Sequence, residues 1–368
     1  MANISTVRGI NGSGVSANTT IMGDGRFVPH PLCDVTDPTY ETLSMLLKVV
    51  NWLVFSVSCF GVCGNLLSFV ILGRERHSNN TSVFYLTCLA VADMFICLSY
   101  VLFDFQYRLY TQSALLDMGA EINHVMKRMY SYTKNCRLLF SSFSDLITLF
   151  IAIDRYIVVC QPLQAMRVIS MKKSYIYANI AVIISICDQI KNFFKFTTRR
   201  MRDPCTGDYI WVQKMTPFAK NMYVRYYEVF ARAPIFTFIP TVIVIVITIR
   251  LILTLKSAGA ARKTMSGGNN QTTSSSSSSS SSNDRSLTLT LVLISCLYIV
   301  KKSFNLAAGI GNLLMALKSE LGKYFYYRYF NVFQDLVRMI VASANFFIYC
   351  ASRRRFRNQL KAIFHRKI

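Results

Sequence analysis

Seven stretches of this chain stay apolar over about the 20 residues that a helix needs to cross a bilayer, and few folds can accommodate so many of them. They predict helices over roughly 42–72, 81–104, 135–160, 174–195, 231–256, 286–315 and 328–350. In lipid each segment must satisfy its own backbone polar groups, which favours helices as the spanning elements. Composition agrees. Of the 368 residues, 16% are charged and 52% hydrophobic, with a mean hydropathy of +0.34, whereas a soluble chain carries about a quarter charged residues. The fourth and sixth stretches are the least regular, because Asp188 with Lys191, and Lys301 with Lys302, interrupt them. The expected fold is an all-α membrane protein, a seven-transmembrane helix bundle, closed by a short amphipathic C-terminal helix.

A formal net charge of +23 would suggest nucleic acid in a soluble protein. Here the basic residues fall between and beyond the apolar runs, where they meet anionic headgroups and orient the chain, so nucleic acid is set aside as a partner and the lipid bilayer takes its place. Residues 1–40 form a polar tail without the apolar core of a cleavable signal peptide and carry sequons at Asn3, Asn11 and Asn18, which mark an extracellular, glycosylated segment. The membrane domain spans 41–351. It is interrupted by a loop over 257–285 with serine at every position from Ser274 to Ser282, a composition expected to be disordered. A passive spacer and a phosphorylated regulatory loop are both open for it. Residues 352–368 place Phe356, Leu360, Ile363 and Phe364 on one face among arginines and lysines, the pattern of a helix lying on the inner leaflet.

Orientation follows from charge. Arg353, Arg354, Arg355, Arg357, Lys361, Arg366 and Lys367, with the basic 250–263 segment, place the C-terminal end in the cytoplasm. The 191–232 loop is also basic (Lys195, Arg199, Arg200, Arg202), and the sequons together with Arg74 and Arg76 decide for the N-terminus outside. The expected location is a multi-pass plasma membrane protein.

Polar groups inside a membrane are costly and mark functional positions. Asn65 stands within Gly61-Val-Cys-Gly-Asn65, Asp93 within Leu89-Ala-Val-Ala-Asp93, and the third helix ends in Asp154-Arg155-Tyr156. Asn345-Phe-Phe-Ile-Tyr349 lies near the end of the seventh. The four histidines (His30, His77, His124, His365) all lie outside the helix cores, which argues against an enzyme. A transporter would show repeats with broken helices in matching halves, and none is visible. No CxxC pair occurs with zinc spacing.

In that order these motifs resemble the rhodopsin-like (class A) G-protein-coupled receptors over residues 45 to 365. The ending Asn345-Phe-Phe-Ile-Tyr-Cys350 with Ser352-Arg-Arg-Arg-Phe-Arg357, and the run Tyr329-Phe-Asn-Val-Phe-Gln-Asp335-Leu, resemble the invertebrate FMRFamide, myosuppressin and sex-peptide receptor group. The resemblance implies that Asp154 holds Arg155 at rest and releases it toward a heterotrimeric G protein, with Tyr156 beside it and Tyr349 swinging inward. It implies a sodium ion on Asp93, Ser144 and Asn345 as an allosteric ligand and no other cofactor; Asp93 satisfied by Asn65 and Asn345 without an ion is the competing account. Arrestin and receptor kinases are further implied partners.

The chain also departs from the family. Tyr298-Ile-Val-Lys301-Lys302-Ser303 stands in place of the sixth-helix CWxP, Phe346 replaces the seventh-helix proline, and the fourth helix has no tryptophan. The usual third-helix cysteine position is Tyr130, so Cys136–Cys205 is the expected disulfide, with Cys33–Cys205 as competitor.

Arg137 stands where amine receptors carry an aspartate, which argues against a biogenic amine, and the seventh helix has no lysine at pocket depth for a retinal Schiff base. Asp104, Arg137, Lys301, Asp335 and Arg338 are the candidate ligand-pocket residues, with Arg137 and Asp335 facing each other. Either a structural salt-bridge network or a polar ligand cavity accounts for them. The resulting expectation is a neuropeptide receptor, with a chemosensory or orphan receptor for a small anionic ligand as the alternative and a transporter as a remote one.

Overall fold

A computed structural model of the chain describes residues 5–8, 18–21, 27–29, 38–75, 80–105, 120–202, 209–232, 234–266, 277–315 and 320–365. The bundle consists of α1 (Pro38–Glu75), α2 (Thr81–Ser99), α3 (Ala120–Cys160), α4 (Met171–Gln189), α5 (Ile239–Ser266), α6 (Ser277–Met315) and α7 (Glu320–Ser352). The short α8 (Arg354–His365) follows. Six of the bundle helices are long and apolar enough to cross a membrane by length and composition. The other is α4. Its charges sit at its two ends, Lys172 and Lys173 in the first turn and Asp188 in the last, and the apolar stretch Tyr175–Cys187 lies between them.

The third helix is the hub, packing against α2, α4, α5 and α6, while α1 packs on α2 and α7, and α7 closes on α6. Large apolar side chains point away from the bundle along its flanks, among them Leu53 and Phe60 on α1, Ile176 and Ile183 on α4, and Val246, Ile249 and Leu253 on α5. In water such a surface would be a liability; in lipid it is the required one. Close approach of α1 relies on Gly61, where a Cβ would run into Ser343 Oγ and Cys97 Sγ. Small residues serve this purpose in membrane helix pairs, where there is no hydrophobic drive between helices.

Helix caps follow from side chains at the breaks. Asn80 Oδ1 accepts the Ser82 amide at 3.0 Å to start α2, and Ser170 Oγ accepts the Lys173 amide at 3.3 Å to start α4. Beyond Ser99 the second helix widens into a π-helical turn, Tyr100–Asp104, a feature that tends to mark functional positions. Two more π-helical segments, Tyr227–Arg232 and Pro234–Phe238, lead into α5. With no proline in the CWxP stretch or at Phe346, α6 and α7 are each one uninterrupted helix.

Three differences from expectation have physical causes. The 191–232 loop contains an antiparallel hairpin, β4 (Phe196–Arg202) with β5 (Tyr209–Met215), after the tail strands β1 (Ser5–Arg8), β2 (Asn18–Ile21) and β3 (Phe27–Pro29), which pair in the order β1-β2-β3. Threonines, Val212, Ile210 and aromatics supply strand propensity that the loop's basic charge conceals. The segment expected to be disordered over 257–285 is helical to Ser266 and again from Ser277; extending an already nucleated helix through serine costs far less than starting one. The terminal amphipathic helix is shorter than 352–367, because Ser352 ends α7 and α8 begins at Arg354. Phe356 is fully buried against Tyr349 and Phe346, at ring separations of 5.6 and 6.0 Å, and Leu360 and Ile363 pack on the same cluster.

Candidate functional site

At the α8 end of the bundle, α3 and α2 meet through Asp154. Thr81 Oγ1 donates to Asp154 Oδ1 at 3.0 Å and Ser82 Oγ to Oδ2 at 2.9 Å, so the first turn of α2 grips the carboxylate. Arg155 Nη2 donates to the same Oδ2 at 3.0 Å, and both side chains are buried. Tyr156 is half-buried beside them. Tyr349 is fully buried, and its hydroxyl has no hydrogen-bond partner among the described residues. The base of α6 is tied to the end of α7: Ser286 Oγ donates to the Ser352 carbonyl, and the Thr290 and Ser352 hydroxyls lie 2.6 Å apart. Arg353 Nη2 reaches Glu75 Oε2 at 2.7 Å and anchors the α7–α8 junction to α1. These Ser286, Thr290 and Glu75 contacts were not legible in the sequence, where hydroxyls and a single glutamate look like ordinary surface.

Midway along the bundle, Ser144 Oγ donates to Asp93 Oδ1 at 3.0 Å and Asn345 Nδ2 to Oδ2 at 2.6 Å, so the three residues named as an ion site do assemble. Asn65 does not join them. Its amide donates to the Gly61 carbonyl at 2.9 Å and the Ala342 carbonyl at 3.0 Å, fastening α1 to α7. A small cavity beside Asp93 is lined also by Thr148, Tyr298, Lys301 and Arg338.

Further from α8 the interior is a chain of ion pairs. Arg137 of α3 contacts Asp104 in the π-helical turn of α2 and reaches Asp335 of α7 with Nη2 at 3.7 Å. Arg338 Nη1 lies 2.5 Å from the same Asp335 oxygen. Lys301, expected in this group, belongs elsewhere: its Nζ lies 2.5 Å from Asp145 Oδ1, and Lys302 Nζ lies 2.7 Å from Oδ2. Asp145 and Lys302 therefore join the buried ion-pair network, to which sequence reasoning had not assigned them. The signal was present, since an acid inside the third helix and two lysines inside the sixth have little choice but to meet. Counting Asp93, four carboxylates face four cations, all with side chains largely out of solvent. Such a network is neutral as a whole but costly to disturb at one member.

A second such cluster sits at the far end of α4, where Asp188 accepts Arg232 Nε at 2.7 Å and Gln189 Nε2 at 2.5 Å, with Lys191 at 3.5 Å. It ties α4 to the π-helical approach to α5. The adjoining hairpin forms a cleft with Arg199, Lys214 and Lys220 in its walls. Cys136 is an exposed free thiol, so the expected Cys136–Cys205 bridge is not formed in this structure; Cys205 and Cys33 lie outside the described residues, and their pairing stays an expectation. Of the sequons, Asn18 stands in β2 opposite Arg8, and Asn3 and Asn11 lie outside the described residues.

Seven helices in this order, with a carboxylate-held arginine at the end of the third, define a rhodopsin-type receptor bundle. The pattern of the seven-transmembrane receptors of the rhodopsin family matches residues 64–349, and the chain belongs to that family. Its members are signalling receptors and not enzymes. Among curated proteins the chain is similar to melanopsin-A of Danio rerio, 23% identical over 53% of this chain and 30% of that protein. It is similar also to human melanopsin, 24% identical over 63% and 44%, and to the FMRFamide receptor of Drosophila melanogaster, 23% identical over 46% and 31%. The chain thus matches between 30% and 44% of the length of these relatives.

Proposed function

We propose that the chain is a plasma-membrane receptor, N-terminus outside, that passes binding of an extracellular peptide to a heterotrimeric G protein. The observation that carries it is the Asp154–Arg155 pair clasped by Thr81 and Ser82. A buried arginine held by a neighbouring carboxylate, which is itself gripped by two hydroxyls of α2, is a two-position element: loss of the Asp154 contact frees the guanidinium to face a partner at the cytoplasmic surface. A ligand drives that shift only by binding one arrangement better than the other. The basic α8 and the tail sequons support the orientation. Ser274 to Ser282 supply acceptors through which receptor kinases, and then arrestin, would act.

Peptide as ligand rests on the ending that resembles the FMRFamide receptor group and on the similarity to the Drosophila FMRFamide receptor. The melanopsin similarity does not carry an opsin function here, because Val332–Ser352 contains no lysine to hold a retinal imine. A small anionic ligand is the second reading, favoured by the cleft with Arg199, Lys214 and Lys220. Secreted-peptide pools and organic acids, assayed by calcium and cAMP, separate the two: responses confined to organic acids remove the peptide.

Arg155→Ala tests the coupling. It should keep surface expression and ligand binding while lowering G-protein activation at least tenfold. Undiminished activation at equal surface density would remove the role given to Arg155.

A further inference from the structure

The cavity beside Asp93 contains the oxygens that a small cation would use and, in the same wall, a cation of its own. Asp93, Ser144, Thr148 and Asn345 face it, and so do Lys301 and Arg338. Its free volume is about that of one water molecule, so a metal ion placed there would sit against the lysine side chain. Two like charges at such range in a low-dielectric interior oppose each other strongly, enough to lower affinity on the order of a thousandfold.

The donor set is also already committed. Both Asp93 oxygens accept hydrogen bonds, one from Ser144 Oγ and the other from Asn345 Nδ2, so asparagine turns its nitrogen and not its oxygen toward the carboxylate. The Asn345 oxygen has no partner among the described residues, and a single water would satisfy it. A sodium ion therefore does not fit the residues present.

We infer that the Lys301 ammonium is the resident cation of this cavity, tethered where the family's ion would lie, and that the bundle is consequently indifferent to sodium. The local geometry explains how the lysine is held. Ser144 and Asp145 are consecutive on α3; the first reaches Asp93 and the second holds Lys301 at 2.5 Å. One turn of α3 thus ties the Asp93 carboxylate and the ammonium of α6 to the same backbone. Lys302 shares Asp145, at 2.7 Å, but does not line the cavity. Unlike a dissociable ion, a tethered cation is present at every salt concentration, so the α2–α3–α6–α7 contact is set by the chain alone.

Thermal unfolding of the purified full chain, in sodium chloride against choline chloride at equal ionic strength, tests the inference without ligand or G protein. It therefore stands or falls apart from the receptor function. The wild type should melt at the same temperature in both salts. Lys301→Met should acquire a saturable rise of a few degrees in sodium, abolished by adding Asp93→Asn. Lys302→Met removes the same charge from the same carboxylate but leaves the cavity wall intact, and should acquire little or none. Asp145 keeps one lysine in either variant; should Lys301→Met not fold, Lys301→Gln serves in its place. Saturable sodium stabilisation of the wild type that Asp93→Asn removes would overturn the inference, and that arm needs no lysine variant. A folded Lys301 variant that remains indifferent to sodium would overturn it as well.

Discussion

Asp145→Ala should deprive the receptor of most of its folded population, with a loss of about 3–5 kcal/mol. Lys301 and Lys302 are both buried, and this carboxylate is the acid each contacts, at 2.5 and 2.7 Å. Its removal leaves two adjacent ammonium groups repelling each other in a membrane interior, without the water that would screen them. The measurement is surface density together with the melting temperature in detergent. Removing all three charges in Asp145→Ala/Lys301→Met/Lys302→Met should recover most of the loss, because replacing a complete buried ion group by apolar side chains is often neutral. A single variant that melts like the wild type, or a triple variant no better than the single, would show that the cluster is solvated and of little consequence.

Parts of this architecture were legible because lipid constrains them severely. A span must be about 20 apolar residues long, so the helices were readable even where charges intrude. The fourth survives because Lys172, Lys173 and Asp188 sit at its ends. Asp93, Ser144 and Asn345 were named as a group through the family resemblance, and their meeting agrees with the need of a polar residue in an apolar run to find others at its own depth. Depth is one-dimensional, however, and does not give the direction in which a side chain leaves its helix. By depth alone Lys301 could join Arg137 and Asp335; its position around α6 points it to Asp145 instead. Arg137 and Asp145 are eight residues apart on α3, about two helical turns or 12 Å, far enough to anchor separate clusters. The β4–β5 hairpin escaped for another reason: its arginines and lysines read as loop and outweighed the strand-forming run Tyr209–Val212.

The far cluster makes a sharper prediction, because its two acids are not equivalent. Arg137 contacts Asp104 directly, whereas Asp335 stands 3.7 Å from it and is held more closely by Arg338 at 2.5 Å. Arg137→Met should therefore cost about 3–5 kcal/mol, chiefly by taking the guanidinium from buried Asp104. Adding Asp104→Leu should recover most of that loss, since the charge left behind is gone and Asp335 still holds Arg338. Adding Asp335→Leu instead should deepen it, because Arg338 then loses its acid while Asp104 is not relieved. Melting temperatures of the two double variants decide the matter, and rescue by Asp335→Leu alone would reverse the assignment of partners. The same asymmetry bears on ligand recognition. If a ligand's charged end engages this cluster, it competes for the weaker contact between Arg137 and Asp335. Asp335→Asn should then change ligand potency as well as stability, the latter because Arg338 loses its acid, while Asp104→Asn should change stability with little effect on potency. Equal effects of the two on stability, with no change in potency at Asp335, would leave the cluster a structural strut joining α2, α3 and α7.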